Sequence, residues 1–407
     1  MRVPTSTFYR QEALRFAEQY DKMSTALRQA NGDKLRLQFD SDDPVLAVDV
    51  HTTENYIDSL NNYNTNTTLA ANRAKTYDSA MSDVIGAVQN LSSLTTLAAT
   101  QTLNDTERSA IASQIEFNLQ SILRAANTQD GTGQYIFSGY NTEAPAFILE
   151  NDGKYHYQGS YDTTLINIGV NVDVVYGDSG FAVFGNIPTG NGTFTISPSN
   201  TNTGTVEIGS GNPTNATPFV KDDYTLSFTS VAGVDYYQLT GVASGTVIPA
   251  TPYIPGTTIT ANGMAFTLNG NPNPGDSFNI KPSQNQNVFD SMADLVKLLR
   301  EPIGTDLGAR SRYATNLNQF TASMDQVLNH LISYQSTIGT REQQIETQQN
   351  SLLSLSNIQK GIWTDIATVP DYESISNVKE QMNALDMTTG IYAQLQRALT
   401  EMLKKFS

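Results

Sequence analysis

Apolar residues recur in alternating three- and four-residue steps at both ends of the chain, a spacing that predicts helices packed lengthwise against other helices. Near the start the stripe is Tyr9, Ala13, Phe16, Tyr20, Met23, Leu27 and Ala30. Near the end Val378, Leu385, Tyr392, Leu399 and Phe406 fall seven apart, with Leu395 and Met402 between them. Such a stripe needs a partner helix. The candidates are the opposite end of the chain and neighbouring copies of the same or a related subunit. Tyr9, Phe16, Tyr20, Met23, Leu27, Val378, Leu385, Tyr392, Leu395, Leu399, Met402 and Phe406 are therefore the candidate assembly residues.

Three further stretches read as helix. From Pro44 to about Thr100 the apolar set is Leu46, Val50, Ile57, Leu60, Ala71, Ala74, Met81, Ile85 and Val88. Ser41-Asp42-Asp43-Pro44 marks its start, with carboxylates at the cap and proline where a missing N–H costs nothing. Asn104-Asp105-Thr106-Glu107 has the spacing of a capping box and opens a helix carrying Ile111, Ile115, Leu119, Ile122 and Ala126, which Asp130-Gly131 stops. The longest stripe runs Leu317, Phe320, Met324, Val327, Leu331, Tyr334, Ile338, Arg341, Ile345, Gln348, Leu352 and Leu355. It predicts a helix from about Gly308 to Gln359, roughly 75 Å long. Arg341 and Gln348 interrupt that stripe; they either specify register or mark a solvent-facing turn. A shorter apolar segment at Val288, Met292, Leu295 and Leu299 packs beside it. Trp363, the only tryptophan, is expected between the long helix and the terminal one as a packing residue.

Between about Gln134 and Pro282 the period changes to alternation, as in Thr193-Phe194-Thr195-Ile196, Thr225-Leu226-Ser227-Phe228 and Met264-Ala265-Phe266-Thr267-Leu268. Asn151-Asp152-Gly153, Gly190-Asn191-Gly192, Asn262-Gly263 and Pro274-Gly275-Asp276 punctuate the strands with turn chemistry. From Pro145 to Pro282 the only Lys or Arg residues are Lys154, Lys221 and Lys281. That shift in composition predicts a separate surface module.

The expected fold is α+β and multidomain: a long coiled-coil or bundle rod made by both terminal regions, with a central inserted all-β module. The expected divisions are 1–43, a first assembly helix; 44–185, long helices plus a β-hairpin region; 186–282, the inserted β domain; 283–369, the second part of the rod; and 370–407, a last assembly helix. Segments before about 40 and after about 370 are expected to order only on assembly, because few large apolar groups offset their chain entropy.

Charge and chemistry narrow the function. The net charge is 24 − 40 = −16. An acidic chain is repelled by nucleic acid and by anionic lipid, so neither is an expected partner. Zero cysteines exclude disulfides and thiolate metal sites. No apolar run is long enough to span a membrane, and Met1-Arg2-Val3-Pro4-Thr5-Ser6 does not read as a cleavable signal. His51, His156 and His330 lack metal-ligand spacing. Asp42-Asp43 and Asp222-Asp223 are adjacent carboxylates that cannot converge on one substrate, and they read as a helix cap and a strand-entry turn. Gly131-Thr132-Gly133 and Gly209-Ser210-Gly211 lack the strand-to-helix context of a phosphate loop and read as turns. No enzyme, cofactor or metal is expected.

Three blocks resemble the flagellar hook-associated protein 3 family, the hook–filament junction proteins related to flagellin. They are Met1 to Ser6, Ser41-Asp42-Asp43-Pro44 with Ala47, and Asp130-Gly131 through Tyr135-Ile136-Phe137-Ser138-Gly139-Tyr140 to Pro145-Ala146-Phe147. Tyr157-Gln158-Gly159 and Gly275-Asp276-Ser277-Phe278 are similar to weaker family patterns. The stretch Gly32 to Asp40 is longer than the family's usual link. The resemblance implies a non-enzymatic adaptor in the extracellular flagellum, exported by the flagellar secretion channel without signal cleavage. It also implies partners: hook-associated protein 1, flagellin, further copies of itself in a ring or helical layer, and an export chaperone. A flagellin subunit and a glycan-binding adhesin are the alternatives.

Overall fold

A computed structural model describes residues 5–37, 39–100, 103–214 and 217–405. The helices are α1 (Thr5–Ala30), α2 (Pro44–Ala98), α3 (Asp105–Ala126), α4 (Val288–Arg300), α5 (Leu307–Ala367) and α6 (Asp371–Lys405). Between α3 and α4 come β1 (Phe147–Leu149), β2 (Tyr155–Tyr157), β3 (Thr164–Gly169), β4 (Val172–Gly177), β5 (Ile187–Pro188), β6 (Phe194–Pro198), β7 (Glu207–Ile208) and β8 (Asn212–Pro213). The series continues through β9 (Tyr224–Val231), β10 (Val234–Gly241), β11 (Gly245–Pro252), β12 (Thr258–Ala261), β13 (Met264–Asn269), β14 (Ser277–Pro282) and β15 (Asn285–Gln286). The chain forms two compact units, Met1–Thr65 with Gln349–Ser407, and Asn66–Gln348. Both boundaries fall inside a helix, one in α2 and one in α5.

Helix starts follow local chemistry. At α2 the Asp43 carboxylate accepts from the N–H groups of Val45 (3.1 Å) and Leu46 (3.0 Å), satisfying donors that have no partner within the helix. At α3 the capping box is complete: Asn104 Oδ1 accepts from Glu107 N–H, and Glu107 Oε2 accepts from Asn104 N–H, both at 2.9 Å. The long C-terminal helix continues past the expected Gln359 to Ala367, 61 residues in all. Gly361 lies mid-helix with open space around it, a tolerable cost of about 1 kcal/mol, and Pro370 is the first strong stop. Trp363 consequently lies within α5 rather than in the link after it.

In the unit 66–348, α2 and α5 run antiparallel. Tyr313 Oη donates to Ala98 O (2.9 Å), and Gln335 Nε2 donates to Asp78 Oδ1 (3.0 Å) and Ser82 Oγ (3.1 Å). Their apolar stripes meet α3 and α4 in one core that includes Met81, Val84, Val88, Leu91, Ile115, Ile122, Met292, Leu295, Leu331 and Ile338. Each such side chain buried contributes about 2 kcal/mol. Phe137, Phe147, Phe184 and Phe289 join this core, with ring centroids 4.7–6.0 Å apart between neighbours. The β3–β4 hairpin packs Ile168 and Val174 against Ala70 and Ala74 of α2 and Ile345 of α5.

The remaining strands make a second core. A five-stranded antiparallel sheet of order β11-β10-β9-β14-β6 and a four-stranded group of β12, β13, β7 and β8 enclose Phe194, Ile196, Leu226, Phe228, Leu239, Met264, Phe266, Phe278 and Ile280. Asn262 and Gly263 form the β12–β13 turn, both at positive φ (48° and 84°), as a two-residue hairpin requires. Strands β6 and β14, which enter and leave this group, are paired with Phe194 opposite Pro282. The group meets α5 through a polar row missed in the sequence: Thr315 Oγ1 accepts from Ile208 N–H, Gln319 Oε1 from Ile196 N–H and Ser323 Oγ from Gly190 N–H, at 2.7–3.2 Å.

Candidate assembly interface

The unit formed by the first 65 and last 59 residues (407 − 348 = 59) is built around α1 and α6. The segment after α1 and the segment before α6 hold each other through backbone bonds. Arg36 N–H donates to Ala367 O (2.8 Å) and Val369 N–H to Lys34 O (2.7 Å). Arg36 adds Nε to Thr368 O (2.9 Å) and a two-pronged pair with Glu373, both arms 3.2 Å. Planar guanidinium and carboxylate geometry makes that pair directional. Lys34 pairs with Asp371 at 2.6 Å, in the open. Trp363 Nε1 donates to Glu54 Oε1 (3.0 Å), tying α5 to α2. The other Glu54 oxygen meets His51 Nδ1 (3.1 Å), while His51 Nε2 meets Asp40 (3.2 Å). These bonds, to Asp40 first and Glu54 second, raise the His51 pKa.

Because the link is tight, α1 and α6 return side by side, antiparallel, and Gln19 Nε2 donates to Gln381 Oε1 at 2.6 Å. The α1 stripe lies mostly off the contact face, whereas part of the α6 stripe lies on it. On α1 the covered positions include Glu12, Gln19, Met23 and Ala26, while Phe16, Tyr20 and Leu27 are 38%, 64% and 41% exposed. Among the described side chains of the predicted first stripe, only Met23 is shared with the intramolecular seam. On α6, Val378 and Leu385 lie on the covered face with Ser374, Gln381, Ala384 and Thr388. Tyr392 is exposed, as are Tyr372, Ile375, Met382, Met387 and Ile391, which the sequence reading left out. Tyr9, Leu395, Leu399 and Met402 belong to α1 and α6, but their side chains lie outside the described set, and Phe406 lies outside the described residues.

The arrangement follows from side-chain pairing. A glutamine pair satisfies its own hydrogen bonds at a half-buried seam, whereas an apolar seam would consume the residues left on the outside. The seam combines the Gln19–Gln381 bond with Met23, Ala26, Val378, Ala384 and Leu385, while Phe16, Tyr20, Leu27, Ile375 and Met382 stay exposed. Among the described residues there is no His, Asp and Glu cluster that could hold a metal, and no helix is long and apolar enough to cross a membrane.

Comparison with known proteins places the architecture. Residues 12–142 match the bacterial flagellin N-terminal helical region. Flagellar hook-associated protein 3 of Escherichia coli is 30% identical over 197 residues, 46% of this chain; the chain spans 58% of that relative's length. The crystal structure of hook-associated protein 3 from Legionella pneumophila superposes with a TM-score of 0.75 at 29% identity, covering 78% of this chain and 98% of that one. The flagellar junction protein FlgL from Legionella pneumophila gives 0.69 at 30% identity, covering 74% and 99%. The chain belongs to the flagellar hook-associated protein 3 family, within the flagellin superfamily.

Proposed function

We propose that this chain is a structural subunit of the bacterial flagellum, an adaptor that joins the hook to the flagellin filament outside the cell. The observation that carries the reading is the pair α1 and α6, which close against each other through Gln19, Met23, Gln381 and Leu385 and leave Tyr20, Leu27, Ile375 and Met382 exposed. In an assembly those rows meet helices of neighbouring subunits. On this reading hook-associated protein 1 lies on one side, flagellin on the other, and further copies of the chain complete a ring or helical layer. The long helices α2 and α5 form the wall, and the second β core faces outward as a surface module. Before assembly the exposed face of α6 is the surface an export chaperone covers. The role requires no catalysis and no cofactor.

The test is co-sedimentation of the purified chain with isolated hooks, with and without hook-associated protein 1, followed by flagellin and imaging of filament growth. Binding that depends on hook-associated protein 1 and permits filament growth supports the adaptor role. Unaided growth of the chain into long filaments makes it a flagellin, and binding to neither sinks the proposal.

A further inference from the structure

Arg341 and Gln348 sit inside the apolar stripe of α5, and both reach across to the β3–β4 region. Gln348 Nε2 donates to Ile168 O (3.1 Å). Arg341, 9% exposed, donates from Nη1 and Nη2 to the two oxygens of Asp178 (2.6 and 3.1 Å), whose side chain is 3% exposed. The same carboxylate interacts with Tyr334. Asp178 is in turn fixed to α2, because its N–H donates to Tyr77 Oη (2.8 Å), and the Tyr77 hydroxyl donates to Ile136 O. One turn away on α2, Arg73 pairs with Asp130 at 2.8 Å. Thus α2, α5 and the chain around residues 130–180 are joined by a chain of buried polar bonds.

The apolar stripe of α5 cannot set its own position along this unit. Along one row of that stripe Leu331, Ile338, Ile345 and Leu352 recur every seven residues, so in that row a slide of seven replaces like with like. The same slide places Tyr334 or Gln348 opposite Asp178 and leaves the Arg341 guanidinium buried away from its carboxylate, which is strongly unfavourable. We infer that the Asp178-centred network of Arg341, Tyr334 and Tyr77 is a register lock, which excludes slid pairings of α5 that the hydrophobic stripe alone would accept. This inference stands apart from the adaptor role, since it concerns the isolated chain.

The absence of cysteine makes the test direct. Spin labels at Lys75→Cys and Ser336→Cys, on exposed positions of α2 and α5, report the axial position of one helix against the other by pulsed electron resonance. The otherwise unaltered chain should give one narrow distance. The variant Asp178→Leu/Tyr334→Phe/Arg341→Met, which replaces the network by apolar groups of similar volume, should keep its helical circular dichroism and show a second population displaced by about 10 Å along the axis. A single unchanged distance in that folded variant overturns the inference. Should the triple variant lose its helical signal, Asp178→Asn with the same labels decides the matter. It should split or broaden the distribution, and one narrow distance there refutes the lock.

Discussion

Asp178 lies 163 positions from Arg341 in sequence, and nothing local to either residue announces the pair. The sequence shows only that Arg341 breaks an apolar stripe, which fits a solvent-facing turn as well as a buried contact. Asp178→Ala leaves the buried guanidinium without its carboxylate and should destabilise the chain by about 3–5 kcal/mol in chemical denaturation; a loss below 1 kcal/mol would mean that water reaches the site. Gly139 is a second residue-scale constraint. It sits at φ +59°, and a Cβ there would lie 2.6 Å from Ser160 O and 2.7 Å from Asp162 O, both backbone atoms. Gly139→Ala should lower the melting temperature by several degrees, which scanning calorimetry would show. His51 is exposed, yet its hydrogen bonds to Asp40 first and Glu54 second raise its pKa. Its contribution to stability is therefore full below pH ~6.5 and disappears as pH rises through the higher folded-state value. Proton NMR should place its midpoint above that ordinary value and Asp40→Asn should return it; equal midpoints would show that the contact is not populated.

Elements whose determinants are local were legible. The α2 cap at Asp43 and the α3 capping box at Asn104 and Glu107 were read from the sequence because cap and first turn are neighbours in the chain. The C-terminal end of α5 lies eight residues beyond the expected Gln359 (367 − 359 = 8), because the exposed Gly361 costs a helix little. On α1 the periodic stripe was visible, but the face that meets α6 was not, because Gln19 and Gln381 become partners only when both helices are in place. The double variant Tyr20→Asp/Leu27→Asp should leave the melting temperature of the isolated chain within about 1 °C, as these groups are already exposed, and should abolish incorporation at hooks. Normal incorporation would move the assembly surface elsewhere. Hydrogen exchange offers a complementary measure. Amides of α1 should exchange in the free chain much faster than those of Met81 to Leu91 in α2, whose side chains fill the core, and should become protected on assembly; equal protection in the free chain would contradict this.

For the whole molecule, the change from helical to alternating period separated the helical regions from the central strands, yet strand order and pairing stayed hidden, since register in β structure depends on partners distant in sequence. The order β11-β10-β9-β14-β6 places the last long strand beside the first. The two covalent crossings into the second β core are thus neighbours, Phe194 opposite Pro282. Replacing residues 195–281 by a short Asn-Gly turn should preserve the helical circular dichroism of α2, α3 and α5, and a collapse of that signal would show that the helices depend on the strands. With doorposts this close together, the strands between them can be lengthened, shortened or exchanged without moving the helices that hold them.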